Sequence, residues 1–220
     1  MVAAELISDI IPPVKLTDTV EKVNLLLEEF RVSELPVVDG DLFLGLIAED
    51  DLIEITDEER TVNTLSILKA QTFVRENQHV YDVVRMFSAQ QLSILPVLDQ
   101  KSNYLGLINI HALNRYFASL TAANEPGAII VLEMNNRDNS LAQMAQIVES
   151  DKAQILSSYT RSFADSTRLE VTLKINKKDI SAIQASFIRY DYTIKAVFNQ
   201  AQVDDDSMNR YELLMNFINL

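Results

Sequence analysis

The residue types that ordinarily carry chemistry are scarce in this 220-residue chain: two histidines, His79 and His111, and no cysteine. A Cys nucleophile is therefore excluded, and neither histidine stands in a metal-ligand spacing. No G-x-S-x-G elbow occurs, and four glycines in the whole chain build neither a P-loop nor a G-x-G-x-x-G turn. Asp50 and Asp51 are adjacent, so on a helix their carboxylates splay apart rather than converge on one proton or one metal. Asp204-Asp205-Asp206 lacks the alternating ligand spacing and closing Glu of a calcium loop. No catalytic and no metal-ligating residue is assigned, and the expectation is a protein that is not an enzyme.

Charge narrows the classes further. The formal net charge is −13, and the 19 basic residues are scattered, with Lys177-Lys178 the tightest pair. Such a surface repels nucleic acid and anionic lipid. No apolar run approaches the length of a membrane span, and MVAAELISDI has neither a basic start nor a continuous apolar stretch. The expected setting is cytoplasmic and bacterial, with no membrane and no nucleic-acid partner.

What the chain does contain is an internal repeat. Leu35-Pro36-Val37-Val38-Asp39 recurs 60 positions later as Leu95-Pro96-Val97-Leu98-Asp99, and that offset gives 8 identities in the 26 positions from Val14 to Asp39. Beyond it the offset becomes 61, matching Phe43-Leu44-Gly45-Leu46-Ile47 to Tyr104-Leu105-Gly106-Leu107-Ile108. The one-residue change falls at Asp39-Gly40, a hairpin-turn signal, where a structural repeat tolerates it. Each copy reads as a short strand at Val14 or Val74, then a helix. The helical faces are Val20, Val23, Leu27 and Phe30 in the first copy, and Val80, Val83, Val84 and Phe87 in the second. Asp18 and Glu21 have capping-box spacing at the first helix start. A hairpin and a closing helix follow, the first from about Asp50, giving β-α-β-β-α. One copy would leave an apolar sheet face bare, so the two should pack together.

The LPVVD…LGLI pattern, present twice and followed by a helix, resembles a tandem pair of CBS domains (a Bateman module) over roughly residues 5–120. The resemblance implies a cleft for an adenine nucleotide or related adenosyl ligand. Nucleotide-binding members end the last strand in Gly-hydrophobic-hydrophobic-Thr/Ser-x-x-Asp, whose hydroxyl and helix amides receive a phosphate and whose Asp takes the ribose hydroxyls. Gly45–Asp51 supplies Asp51 at the ribose position but Ala48 in place of the hydroxyl; Gly106–Ala112 supplies Asn109, which can cap a helix and meet a phosphate, but Ala112 in place of Asp. Residues just before the LPV strand line the adenine slot in this family, which points to Ser33 and Glu34, with Ser93 and Ile94 in the second copy. Lys15 and Arg75, equivalent after the first strand, are the candidates for neutralising phosphate. AMP, ADP, ATP or S-adenosylmethionine is the ligand class implied; no cofactor is required.

After the linker Thr121–Gly127 the pattern changes. Strands are expected at 128–134, 154–163, 168–176 and 192–198, with helices from Ser140 to about Lys152 (Leu141, Met144 and Val148 on one face) and around Ile180, Ile183 and Phe187. This β-α-β-β-α-β order is ferredoxin-like, and after a CBS pair it resembles an ACT domain, a layout similar to the CBS–ACT proteins named for acetoin utilisation. Amino-acid-binding ACT domains carry Gly between first strand and first helix. Here Asn135–Asn139 has none, and an Asn in the left-handed region is the expected substitute. Asp204–Asp206 begins an expected C-terminal helix with Tyr211, Leu214, Phe217 and Ile218 on one face.

The expected fold class is thus α/β (α+β), laid out as CBS repeat 1 (1–60), CBS repeat 2 (61–122), an ACT-like domain (127–200) and a C-terminal helix (204–220). The expected role is a non-catalytic regulatory sensor that forms a homodimer and transmits adenosyl-ligand binding to a regulated protein. The alternative is a ligand-free dimerisation or interaction scaffold.

Overall fold

The computed structural model describes residues 1–65, 71–164 and 166–198. The expected C-terminal helix over 204–220 lies outside them. The chain divides into two compact units, Met1–Tyr116 and a second beginning at Phe117.

In the first unit the repeat is plain. The first copy runs β1 (Val14–Lys15), α1 (Val20–Phe30), β2 (Glu34–Asp39) and β3 (Leu42–Ala48); the second runs β4 (Val74–Arg75), α2 (Val80–Gln90), β5 (Ile94–Leu98), β6 (Tyr104–Asn109) and α3 (Ile110–Leu120). In each three-stranded sheet the short strand pairs parallel to the LPV strand, Val14 with Val37 and Val74 with Val97, and the LPV strand pairs antiparallel to the LGLI strand. Both hairpins carry a register shift at the same point, between Val37 and Val38 and between Val97 and Leu98. Val20, Val23 and Leu27 are buried from α1, and Val80, Val83 and Phe87 from α2. One apolar core spans both copies, joining Leu35, Val37 and Ile47 to Ile94, Leu98 and Leu107. The bare sheet face expected of a single repeat is covered by the other.

Each repeat is also closed by a segment that precedes the other. The amides of Ala3 and Ala4 donate to Gln78 and Glu76, and Val80 donates to Met1; likewise Val62 and Asn63 donate to Asp18 and Leu16, and Val20 donates to Arg60. Two short 3-10 turns, Ala3–Leu6 and Val62–Thr64, occupy equivalent places in this exchange. Just after the first of these turns, Ile7 packs against Gly106. A Cβ there would lie 2.5 Å from Ile7 Cγ2, and φ is +141°.

Two local expectations are corrected. The closing helix of the first copy is reduced to a 3-10 turn, Glu49–Asp51. Its sequence explains this: Asp50, Glu54 and Glu58 repel at i,i+4, and Ile53, Ile55 and Thr56 are β-branched. The N-cap of α1 is Thr19, whose Oγ1 accepts from the Lys22 amide at 3.3 Å. Asp18 accepts instead from the Lys15 amide at 2.9 Å and the Lys22 ammonium at 2.7 Å. Partial burial acts to raise the Asp18 pKa, but these hydrogen bonds and the two lysine charges outweigh it, and the carboxyl is held below its ordinary value.

Both α1 and α2 end in a left-handed residue that is not glycine, Arg31 at φ 52° and Gln91 at φ 52°. Arg31 is exposed, so Arg31→Gly relieves Cβ strain without emptying a contact. It is expected to raise stability by about 0.5–1 kcal/mol, read as a higher urea midpoint; a lower midpoint would contradict this.

The second unit is ferredoxin-like. Its order is β7 (Ala128–Asn135), α4 (Leu141–Ser150), β8 (Ile155–Ser162), β9 (Arg168–Ile175), α5 (Ser181–Arg189) and β10 (Thr193–Phe198), in an antiparallel sheet ordered β10-β7-β9-β8. Leu169, Val171, Leu173 and Ile175 are buried from β9, and Ile180, Ile183 and Phe187 from α5 and its entry. On α4 the buried stripe is Met144, Ile147 and Val148, while Leu141, the first residue of the helix, is 51% exposed. The Asn135–Asn139 connection is a 3-10 turn over Asn136–Asp138. None of its residues has positive φ, so the turn forms without a left-handed Asn.

Candidate ligand cleft between the repeats

Ser33 and Ser93 stand at the same place in the two copies, between the left-handed end of the helix and the LPV strand, and they bring the copies together. Ser33 donates its amide to Ser93 Oγ at 2.9 Å. Its carbonyl accepts from the Glu49 amide at 2.9 Å, and the Ser93 carbonyl accepts from the Ile110 amide at 3.1 Å. The next position breaks the symmetry, with Glu34 in one copy and Ile94 in the other. Glu34 is 6% exposed, and its Oε1 accepts from the amides of both Ser93 (2.6 Å) and Ile94 (3.0 Å). A buried first-repeat carboxylate thus caps the start of a strand in the second repeat. Its Oε2 has no hydrogen-bond partner among the described residues.

Glu34 also forms part of the wall of a cavity of about 370 Å³. From the first copy come Ser33, Glu34, Leu46, Ala48, Glu49 and Asp50; from the second come Thr72, Gln90, Gln91 and Leu92. Thr72 is buried and donates its hydroxyl to Gln90 Oε1 at 2.9 Å. The volume lies within the range of small-molecule sites, and the wall is mostly polar, with Leu46, Ala48 and Leu92 its apolar members.

The other sequence candidates lie elsewhere. Asp51 turns its carboxylate back onto the Ala48 amide at 3.1 Å, closing the 3-10 turn, and is not among the lining residues. Asn109 is buried, and its Oδ1 accepts from the Ala112 amide at 2.7 Å, capping α3. Arg75 bonds the Asp99 carbonyl and, at 3.3 Å, Ser102 Oγ, with its guanidinium 5.0 Å from the centroid of Phe73. It ties the β5–β6 hairpin together. The Lys15 side chain is exposed and has no partner among the described residues, apart from its charge acting on Asp18. The structure therefore brings together Ser33, Glu34, Ser93 and Ile94 by hydrogen bonds, with Ser33 and Glu34 in the cavity wall and Ser93 and Ile94 behind them, while Lys15, Arg75, Asp51 and Asn109 are not among the lining residues.

The sequence does not point to Glu49, Asp50, Thr72, Gln90, Gln91 or Leu92 as ligand contacts. The signal that could have found them is the repeat itself: if two copies pack as a pair, the slot of one is walled by the helix end of the other.

The described residues contain no group of three or more His, Asp or Glu able to hold a metal ion. None of the described helices is long and apolar enough to cross a membrane.

Residues 3–58 and 69–119 each match the CBS domain family. An uncharacterized protein of Methanocaldococcus jannaschii is 28% identical over 92 residues, 42% of this chain, and the match spans only 35% of that relative's length. A CBS domain pair/ACT domain protein from Thermotoga maritima aligns at 22% identity and a TM-score of 0.48, over 53% of this chain and 96% of that one. CBSX2, solved in complex with AMP, aligns at 20% identity and a TM-score of 0.46, over 53% of this chain and 95% of that one. With two matched segments, a repeat visible in its residues and one core shared by both copies, this chain belongs to the CBS domain family and carries two tandem CBS domains.

Proposed function

We propose that the chain is a regulatory sensor that takes up an adenosyl ligand in the cleft between its CBS repeats and transmits binding through a homodimer. The observation that carries this reading is Glu34. A carboxylate 94% shielded from solvent is costly unless its acceptors are used, and here one oxygen is used twice while the other is left over beside a ligand-sized cavity. A nucleoside supplies the missing donors in its ribose hydroxyls or its exocyclic amine. Ser33, Thr72, Gln90 and Gln91 offer further polar contacts around the same space. Because Glu34 and its two amide partners belong to different repeats, a ligand bonded to Glu34 acts on the contact between the repeats, and so favours one packing over another.

For the dimer, the support is the second unit's sheet, whose edge strand β8 has no neighbour on its outer side among the described residues and exposes Ser158–Ser162. Edge strands of this kind pair with a second copy or are otherwise protected.

The test is a thermal unfolding series of the full chain with adenosine, S-adenosylmethionine, AMP and ATP, each at 1 mM. A ligand present at a hundredfold excess over its Kd stabilises the native state by about 2.7 kcal/mol, so at least one member of the series should raise the midpoint by several degrees. No shift with any of them would refute the reading and favour a ligand-free scaffold. That alternative draws support from Arg75, which the structure commits to a hairpin rather than to a phosphate.

A further inference from the structure

We infer that the cleft selects its adenosyl ligand by charge: it takes a nucleoside bearing a cationic group, such as a sulfonium, and rejects one bearing a phosphate. The inference rests on the proposed adenosyl reading and specifies which members of that class fit. Three carboxylates, Glu34, Glu49 and Asp50, line the cavity, and none of the described lining residues is Lys, Arg or His. The remaining polar lining side chains, Ser33, Thr72, Gln90 and Gln91, are neutral. Like charges brought together where water is partly excluded repel far more strongly than in bulk solvent, and Glu34 is buried. Of the groups that could receive a phosphate, Lys15 lies outside the cavity wall and the others are already engaged. The Glu49 amide donates to the Ser33 carbonyl, the Ala48 amide donates to Asp51, and Arg75 is bonded to Asp99 and Ser102. A chain of net charge −13 adds a background field of the same sign. Each of these features disfavours a phosphate, and the two exposed carboxylates Glu49 and Asp50 offer partners to a cation.

The experiment is calorimetric titration of the full chain with adenosine, AMP, ATP and S-adenosylmethionine, in low salt with EDTA and again with 1 mM magnesium. S-adenosylmethionine should bind at least tenfold more tightly than AMP or ATP in both buffers. The double substitution Glu49→Gln, Asp50→Asn should shrink that ratio at least tenfold, and because both residues are exposed the variant should keep its fold, checked by its unfolding midpoint. AMP or ATP binding as tightly as S-adenosylmethionine in either buffer would overturn the inference, as would a ratio unmoved by the double substitution. The adenosine arm separates the two levels. If AMP or ATP matches S-adenosylmethionine while adenosine also binds, only the charge selection falls; if nothing in the series binds, the adenosyl reading falls with it.

Discussion

Gly127→Ala should cost the ferredoxin-like unit about 3 kcal/mol or more, enough to remove most of the stability of a small domain. Gly127 enters β7 at φ +154°, and a Cβ built there would lie 2.0 Å from the carbonyl oxygen of Ile175 and 3.0 Å from its carbon. The obstacle is backbone in the central strand β9, so no rotamer change relieves it. The strands cannot part either, because Ala128 is in register with Ile175 and its amide donates to the Lys177 carbonyl at 3.0 Å. Clash and an unfavourable φ therefore add. Urea unfolding followed by far-UV circular dichroism should lose, or shift far downward, the transition of this unit while that of the CBS pair persists. An unchanged unfolding profile would contradict the packing described at this strand end.

Glu34→Ala should destabilise the CBS pair by about 2–4 kcal/mol, because it orphans one buried and one half-buried amide at once, where a buried unsatisfied group costs about 1–3 kcal/mol. Those amides belong to Ser93 and Ile94, at the start of the central strand of the other repeat. Glu34→Gln is the informative companion. A glutamine carbonyl oxygen can accept both bonds, so the loss should fall to about 1 kcal/mol, the difference between a charge-assisted and a neutral hydrogen bond. Guanidinium unfolding of the three proteins should order them wild type, Gln, Ala. Equal stabilities would show that Glu34 is not the strut between the repeats. Ligand affinity separates the same variants differently, since Glu34→Gln keeps the strut but loses the charge beside the cavity.

How far the fold was readable follows from the range over which each signal acts. The repeat was legible because hairpins and amphipathic helices are local: the 60-residue offset, the LPV strands and both hairpins lie where the residues indicate. The second unit was legible for the same reason, with strict alternation along β9 and well-spaced apolar positions on α5. The exchanged segments were not. Residues 1–6 and 60–63 close repeats that lie elsewhere in the chain, and main-chain hydrogen bonds leave no trace in side-chain identity. The shortened closing helix was half legible, since the acidic run after Ala48 argues against a helix even as the repeat argues for one. Around the candidate site, the family pattern pointed to Ser33, Glu34, Ser93 and Ile94, of which the first two line the cavity, yet what Glu34 bonds to was hidden. That depends on how two copies face each other, and only one of them carries a carboxylate there.

The same limit applies to Asp51, Lys15, Arg75 and Asn109. Type and spacing nominate them as polar groups near the end of a strand, but a short-range partner claims three of the four. Asp51 closes its own turn, Arg75 fastens its own hairpin and Asn109 caps its own helix. Local hydrogen bonds require little chain ordering, so they compete effectively with a ligand for such side chains.

The central claim is that an adenosyl ligand occupies the cleft between the repeats, and amide chemical-shift mapping tests it most directly. Titrating S-adenosylmethionine into isotope-labelled full-length protein should move the amides of Ser33, Ala48, Thr72 and Gln91, together with Ser93 and Ile94, whose amides Glu34 holds. Those shifts should saturate together, with amides of the ferredoxin-like core around Leu173 and Phe187 left in place. Saturating shifts confined to the second unit, or none anywhere at millimolar ligand, would contradict it.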